Sequence, residues 1–286
     1  MADLKSPTTY QEQLNILKSR GVTSVDDALC IEVLENIGYY RFVAYFLPFK
    51  NADGSYKTGT DFMRVYRIYE FDRVLRRVLF SALEEVEVFF RARLAYHHAH
   101  KYGAEGYMTP ENFSEKHRAE KFIENINREI TNNKNSAFVN HHIKNYDGHF
   151  PLWVIMELFS FGMLSRFYGD MKTPDQKAIS KGIYKTVPQN IRSWLRCCTD
   201  LRNICAHYGR LYYRKFPATP ANVDASDDSK SKLWGAVLAL KALYPRAEKW
   251  NNAIVPQIVA LIEEYAEDIS PEHIDFPPDW ETKIAK

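Results

Sequence analysis

The chain has 286 residues, enough to bury a substantial core as one large domain or as two small ones. Hydrophobic residues make up 45% of it and aromatic residues 14%, which is typical of a globular protein and excludes a disordered one. The formal net charge is only +2, which excludes a global attraction to nucleic acid, so any basic surface must be local.

The cysteines are few for this length, and their spacing matches neither a disulfide framework nor a CxxC site. We expect them to be reduced thiols in the core of a cytoplasmic protein; they are Cys30, Cys197, Cys198 and Cys205. Residues 1–7 lack an apolar segment of the signal-peptide type, and no apolar run is long enough to cross a bilayer. The sequence therefore predicts no membrane partner.

The hydrophobic periodicity is helical nearly throughout, so the sequence predicts an all-α protein. A first short helix is predicted over residues 9–17. A second is predicted from Ser24, which can serve as its N-cap, to about Ile37. An aromatic segment then leads to Pro48, and a turn follows at residues 51–55.

The strongest helical pattern runs over residues 61–100, with Asp72 as the one polar interruption of its apolar positions. Its length exceeds that of most globular helices and leaves room for a kink or a break. A polar helix is predicted over residues 115–131, and an apolar helix over residues 151–168 begins at Pro151.

The last third of the chain is predicted to contain the helix that carries the most informative motif, over residues 188–207. Residues 216–232 are rich in Pro, Ala, Asp and Ser and predict an exposed loop. Two closing helices are predicted over residues 233–243 and 250–265, and residues 271–280 predict an extended tail.

The motif is the stretch LRNICAHYGRL over residues 201–211, in which four residues separate Arg202 from His207. One face of the predicted helix is apolar, and Asn203 and His207 lie one turn apart on a polar stripe. Arg202 precedes His207 by roughly 7.5 Å along the helix axis and about 140° around it. A bend, a long arginine reach or a second protomer is therefore needed to bring both side chains to one atom.

Histidine can gain or lose a proton near neutral pH, and arginine offers a planar fork of donors to phosphate oxygens. Arg202, Asn203 and His207 are therefore candidate catalytic residues for metal-free cleavage of an RNA phosphodiester. The alternative is that Asn203 and His207 cap or cross-link helices in the bundle, which is the commoner role for an arbitrary match to so short a motif.

Side chains outside the motif give weaker signals. A short run interleaves cations with an aromatic ring, as RNA-stacking surfaces do, and predicts RNA-binding residues at Arg210, Tyr212 and Arg214. An equally weighted alternative is that these residues form a solvated helix end whose arginines offset the helix dipole. Glu87 and Arg91 are spaced as a surface ion pair. The histidines at residues 97, 98 and 100 point different ways on a helix and lack further ligands, so neither a metal nor another cofactor is predicted.

The chain resembles the Abi family, the abortive-infection group within the HEPN superfamily. The resemblance rests on an ordered set of segments along most of the chain, which is more specific than the arginine–histidine motif alone. The segments are residues 37–41 with Tyr45, residues 69–76, residues 84–88 with Arg91, residues 151–153 with residues 157–162, residues 201–211, and residues 276–280.

The resemblance implies a HEPN-like helical bundle with additional N-terminal and C-terminal helices. Residues 1–60 would form an N-terminal helical segment packed on a HEPN-like domain of residues 61–286, or residues 1–286 would form one continuous domain. Such proteins often dimerise, and two motif helices facing each other across a two-fold axis would form one composite site. The family's long helix packs on its motif helix, which adds the alternative that Glu87 and Arg91 position Arg202.

The function that the resemblance implies is a metal-independent endoribonuclease, acting as a toxin or abortive-infection effector in bacterial anti-phage defence. Arg202 and His207 match the family's signature, and Asn203 matches its polar residue after the arginine. The expected RNA products carry a 2′,3′-cyclic phosphate and a 5′-hydroxyl. The alternatives are a non-cleaving RNA-binding protein in complex with a small structured regulatory RNA, and an antitoxin-like protein that binds only protein.

Overall fold

The computed structural model describes Leu4 and residues 6–286, and within them the protein is all-α, as predicted. Only three isolated backbone bridges and no β-strand occur in this part of the chain. The helices are α1 (Tyr10–Ser19), α2 (Asp27–Ile37), α3 (Tyr39–Val43), α4 (Phe62–Tyr102), α5 (Ala119–Asn132), α6 (Ala137–Asn145), α7 (Leu152–Ile155), α8 (Phe161–Asp170), α9 (Thr173–Tyr184), α10 (Pro188–Ala206), α11 (Asp227–Lys230), α12 (Leu233–Leu243), α13 (Ala247–Lys249), α14 (Val255–Glu264), α15 (Pro271–Ile274) and α16 (Trp280–Ile284).

The long helix α4 is the axis around which the other helices pack. Asp61 caps its N-terminus by accepting a hydrogen bond from the amide of Arg64, and the helix continues without a break to Tyr102. Its 41 residues include neither glycine nor proline, which explains why the predicted helix needs no kink. Helices α7, α8, α9, α10, α12 and α14 all contact α4, so the core surrounds it.

The N-terminal helices form close to the predicted positions. Thr9 and Glu12 make a capping box at the start of α1. The N-cap of α2 is Asp26 rather than Ser24, because the Asp26 carboxylate accepts the amide of Leu29 at 3.1 Å. The buried side chains of these helices belong to the same apolar core as those of α4.

The apolar helix predicted over residues 151–168 is wrong as one continuous element. A short 3₁₀ segment, Met156–Leu158, follows α7, and the chain is extended at Phe159 before Ser160 caps α8. The Ser160 hydroxyl accepts the amide of Met163 at 3.3 Å, and the freed carbonyl of Phe159 accepts a hydrogen bond from Arg91 of α4 at 3.0 Å. The hydrogen bond from Arg91 of α4 thus stabilises the interruption between α7 and α8.

The C-terminal region folds back onto the core, so the prediction of an extended tail over residues 271–280 is wrong. The tail contains α15 and the start of α16, and its buried Phe276 packs against Trp234 of α12 with ring centroids 4.9 Å apart. The first closing helix, α12, has the predicted bounds, and the second begins with a π-helical turn, Trp250–Ile254. In the described part of the chain, no helix is long and apolar enough to cross a bilayer.

Candidate functional site

The motif helix α10 begins at Pro188, whose ring suits a first helical turn. Every residue of its predicted apolar face is buried against α4, α8 and α12; they are Ile191, Trp194, Leu195, Cys198, Leu201 and Cys205. Asn203 and His207, on the opposite face, are exposed. The predicted amphipathic pattern therefore leaves two of the three candidate catalytic side chains accessible to a ligand.

A Schellman turn ends the motif helix directly after His207. The amide of Tyr208 donates to the Cys205 carbonyl at 3.2 Å, and the amide of Gly209 donates to the Ile204 carbonyl at 2.7 Å. Tyr208 has a left-handed φ of 56°, where glycine is usual, and its ring is 69% exposed. Arg41 of α3 holds this strained turn by donating to the Tyr208 carbonyl at 2.5 Å.

Arg202 is turned toward the long helix. Its Nε lies 3.8 Å from Oε2 of Glu87, and its Nη1 donates to the side-chain oxygen of Asn203 at 3.4 Å. The Arg202 side chain is 31% exposed, so part of its guanidinium remains open to a ligand. No hydrogen bond or ion pair joins the side chains of Arg202 and His207 in the described residues.

Glu87 is itself held by Arg91, one turn further along α4. Arg91 Nη2 donates to Glu87 Oε1 at 3.0 Å, and the Arg91 guanidinium also reaches the Phe159 carbonyl and the Glu157 carboxylate. Burial raises the pKa of Glu87, and the two neighbouring arginines oppose that rise. The interpretation as a simple surface pair is wrong, because both side chains are only 15% exposed and Glu87 has Arg202 as a second partner.

Asp72 is a structural residue whose role the sequence did not predict. Its buried carboxylate accepts hydrogen bonds from the Tyr45 hydroxyl at 2.7 Å, the Leu211 amide at 3.1 Å and the Tyr212 amide at 2.8 Å, and it pairs with Arg76. Asp72 therefore fastens the segment after the motif to α4. The available signal was an aspartate on an apolar helical face, one turn before an arginine.

The predicted RNA-binding residues differ in accessibility. Tyr212 is fully buried, and its hydroxyl bonds with His273 Nδ1 at 2.8 Å and accepts the Ser270 amide at 3.0 Å, so its predicted contact with RNA is wrong. The Arg210 guanidinium is half-buried and donates to the Tyr212 carbonyl at 2.7 Å. Arg214 is exposed and remains available.

The cysteine inside the motif is not a candidate nucleophile at this site. Cys205, inside the motif, is 6% exposed, and burial raises the pKa of its thiol to about 12. The thiol is therefore protonated at neutral pH, as expected of a packed core residue. In residues 4 and 6–286, no three histidine, cysteine, aspartate or glutamate side chains are arranged to hold a metal ion.

The arrangement suits proton transfer beside a phosphate. His207 is exposed at the end of α10, and its side chain makes no hydrogen bond or ion pair within the described residues, so both ring nitrogens can meet a ligand. Arg202 supplies a positive charge and lies in contact with Glu87. An accessible imidazole can move a proton and an arginine can stabilise charge on a phosphoryl group, although within one chain no contact joins these two side chains.

Comparison with known proteins places the chain in a family. No curated protein and no solved structure matches it. The family model described as Abi-like protein matches residues 32–213, which run from α2 to the segment just after the motif. The matched region contains Asp72, Glu87, Arg91, Arg202 and His207. Because the match covers well over half of the chain, this protein belongs to the Abi-like family.

Proposed function

We propose that this protein is a metal-independent endoribonuclease of the HEPN type, acting as a toxin or abortive-infection effector in anti-phage defence. The observation that supports it most directly is that the motif combines a partly open Arg202, in contact with Glu87, with an exposed His207. The Abi-like family match agrees with the abortive-infection role.

The proposed reaction is attack of a ribose 2′-oxygen on the adjacent phosphorus. His207 takes the 2′-hydroxyl proton as the new O–P bond forms, the bond from phosphorus to the 5′-oxygen breaks, and a histidine returns a proton to that leaving oxygen. Arg202 stabilises the negative charge on the phosphoryl oxygens, and Asn203 orients His207 or contacts the phosphate. The products are a 2′,3′-cyclic phosphate and a 5′-hydroxyl, and DNA, which lacks the nucleophile, is not cut.

A homodimer would bring Arg202 and His207 together. Within one chain Arg202 reaches toward Glu87, whereas His207 lies beyond the last turn of α10, so the two do not meet. Two copies of α10 related by a two-fold axis would bring Arg202 of one protomer toward His207 of the other. Each Arg202–His207 pair would form one site, in which His207 takes the 2′-hydroxyl proton and then returns it to the leaving oxygen.

Incubation of the purified protein with end-labelled RNA in EDTA tests the reaction. We expect discrete cuts that end in cyclic phosphate, lost in His207→Ala and in Arg202→Ala. His141→Ala, which removes another exposed histidine, should cut as the wild type does. Cleavage that survives both motif substitutions would contradict the proposed site. Stable RNA binding by the wild type without any cut would favour the non-cleaving, RNA-bound alternative.

Mixing the two inactive variants tests the composite site. If each site takes Arg202 from one protomer and His207 from the other, half of the exchanged dimers are mixed and each has one intact site. Activity should then return to about a quarter of the wild-type value. No recovery after demonstrated subunit exchange would rule out this division of residues between protomers.

A further inference from the structure

A cleft of about 610 Å³ opens where the motif helix ends, between α3, α4 and the Schellman turn. Its size falls within the roughly 300–1,000 Å³ range of ligand sites. Its lining includes four arginines and two exposed aromatic residues; they are Arg41, Arg73, Arg76, Arg77, Phe80 and Tyr208. Ala206 and Tyr208, which flank His207 in the sequence, line the cleft, so it opens at the turn that carries the candidate catalytic histidine.

The cleft is positively charged because two of its arginines have no carboxylate partner. Asp72 neutralises Arg76, and Glu70 pairs with Arg73. Arg77 is exposed and makes no ion pair in the described part of the chain, and Arg41 donates only to a backbone carbonyl. No aspartate or glutamate lines the cleft, so a chain with a net charge of +2 concentrates uncompensated positive charge there.

Two aromatic rings face solvent at the same place. Phe80, on the same helix as Arg77, is 38% exposed, and Tyr208 is 69% exposed. The left-handed conformation of Tyr208 is costly for a side chain other than glycine, and the turn keeps this ring outside the core. Cations alone would suit any anion, whereas cations alternating with open aromatic faces suit phosphates joined to planar bases.

We infer that this cleft binds a single-stranded segment of RNA and leads it to His207. Arg41 and Arg77 contact successive phosphates, and Tyr208 and Phe80 stack against unpaired bases. Bases must be unstacked to reach such rings, which selects single strands over duplexes. The choice of RNA as ligand rests on the proposed nuclease function, and the inference adds where the strand lies and how it is held.

The test is fluorescence anisotropy with a labelled single-stranded oligouridylate of about 12 nucleotides. All variants are made in the His207→Ala background, so that binding is measured without cleavage. Arg77→Gln should weaken binding about tenfold at low salt and lower the slope of log affinity against log salt by about 0.7. Arg93→Gln is the matched control, because Arg93 is exposed on the same helix and lies outside the cleft.

Tyr208 gives an independent test through stacking. Tyr208→Ala should weaken binding about tenfold, whereas Tyr208→Phe, which keeps the ring, should bind as the parent does. Both variants keep a side chain at the left-handed position, so backbone strain is matched. Unchanged thermal midpoints by circular dichroism would show that the lost affinity is not lost folding.

Several outcomes would overturn the inference. They are equal effects of Arg77→Gln and Arg93→Gln, no effect of Tyr208→Ala, or tighter binding of duplex than of single-stranded RNA. If the wild type cuts RNA while the cleft variants bind and cut normally, the cleft fails and the nuclease proposal stands. If binding depends on Arg77 and Tyr208 but the wild type cuts nothing, the nuclease proposal fails and the cleft stands.

Discussion

Arg202 Nε lies 3.8 Å from Oε2 of Glu87, and this contact joins the motif helix α10 to the long helix α4. Glu87 cannot swing away freely, because its other carboxylate oxygen accepts Arg91 at 3.0 Å. Arg91 is in turn bonded to the Phe159 carbonyl, at the break between α7 and α8. The position of one guanidinium thus depends on three separate elements of the bundle.

Glu87→Gln should impair RNA cleavage while leaving RNA binding nearly intact. The amide removes the negative charge that orients Arg202, so we expect kcat to fall about tenfold or more, with KM changed little. Steady-state cleavage of a defined RNA measures both constants. Glu84→Gln is the control, because Glu84 is exposed on the same helix and has no partner in the described residues. Equal losses in the two variants would contradict a positioning role.

Asp72→Ala should be among the most destabilising substitutions in the protein. It would leave Arg76 and the amides of Leu211 and Tyr212 buried without their acceptor. Removing one partner of a buried charge pair costs about 3–5 kcal/mol in the free energy of unfolding. Urea unfolding measures this. Asp268→Ala, which breaks the more exposed pair with Arg67, should cost no more than about 1 kcal/mol. Similar costs for both would refute the role assigned to Asp72.

His98 should make the protein less stable at acidic pH. It is buried among Tyr102, Phe113 and Phe167, neither ring nitrogen has a hydrogen-bond partner, and burial lowers its pKa from the usual 6.5 to about 4. Between these two pH values His98 binds a proton in the unfolded chain but not in the folded one. The free energy of unfolding is therefore undiminished above pH 6.5 and decreases as the pH falls toward 4.

The expected loss over that window is up to about 3 kcal/mol in the free energy of unfolding. Denaturant unfolding at a series of pH values measures it. His98→Leu removes the titrating group, so the difference between the wild type and this variant isolates the contribution of His98. A variant whose stability falls with pH as steeply as that of the wild type would show that other groups are responsible.

Tyr212→Phe should affect stability and not RNA binding. The lost hydroxyl bonds with His273 and accepts the amide of Ser270, which anchors the C-terminal tail. Leaving that buried amide without its acceptor costs about 1 kcal/mol or somewhat more. Thermal unfolding gives the cost, and anisotropy in the His207→Ala background gives the RNA affinity. A marked loss of affinity without a loss of stability would restore Tyr212 as a binding residue.

Much of the fold could be predicted from local patterns. The absence of glycine and proline after the Asp61 cap predicts one long helix, and α4 is unbroken. Pro188 marks the start of α10, and the apolar run of residues 233–243 predicts α12. For the site, the pattern placed Asn203 and His207 on one exposed face, because a helix relates residues four apart whatever surrounds it.

Other features depend on contacts between distant residues, which periodicity does not encode. The apolar pattern places Phe159 within one continuous helix. In the structure the helix is broken there, and the Phe159 carbonyl accepts a hydrogen bond from Arg91. The sequence around Tyr212 predicts an exposed aromatic residue next to arginines. In the structure its backbone amide donates a hydrogen bond to Asp72, 140 positions earlier, and its ring is buried. The tail of residues 271–280 has too little local pattern to predict helices, and it folds because Phe276 packs on Trp234.

The sequence by itself therefore determined that this protein is all-α and where its longest and most amphipathic helices begin and end, because caps and apolar spacing act within a few turns. Only the tertiary structure decided that Glu87 contacts Arg202, that Tyr212 is in the core and that the cleft at the end of α10 is cationic. Those features arise where side chains distant in sequence share one small volume, and burial and charge there depend on all of them together.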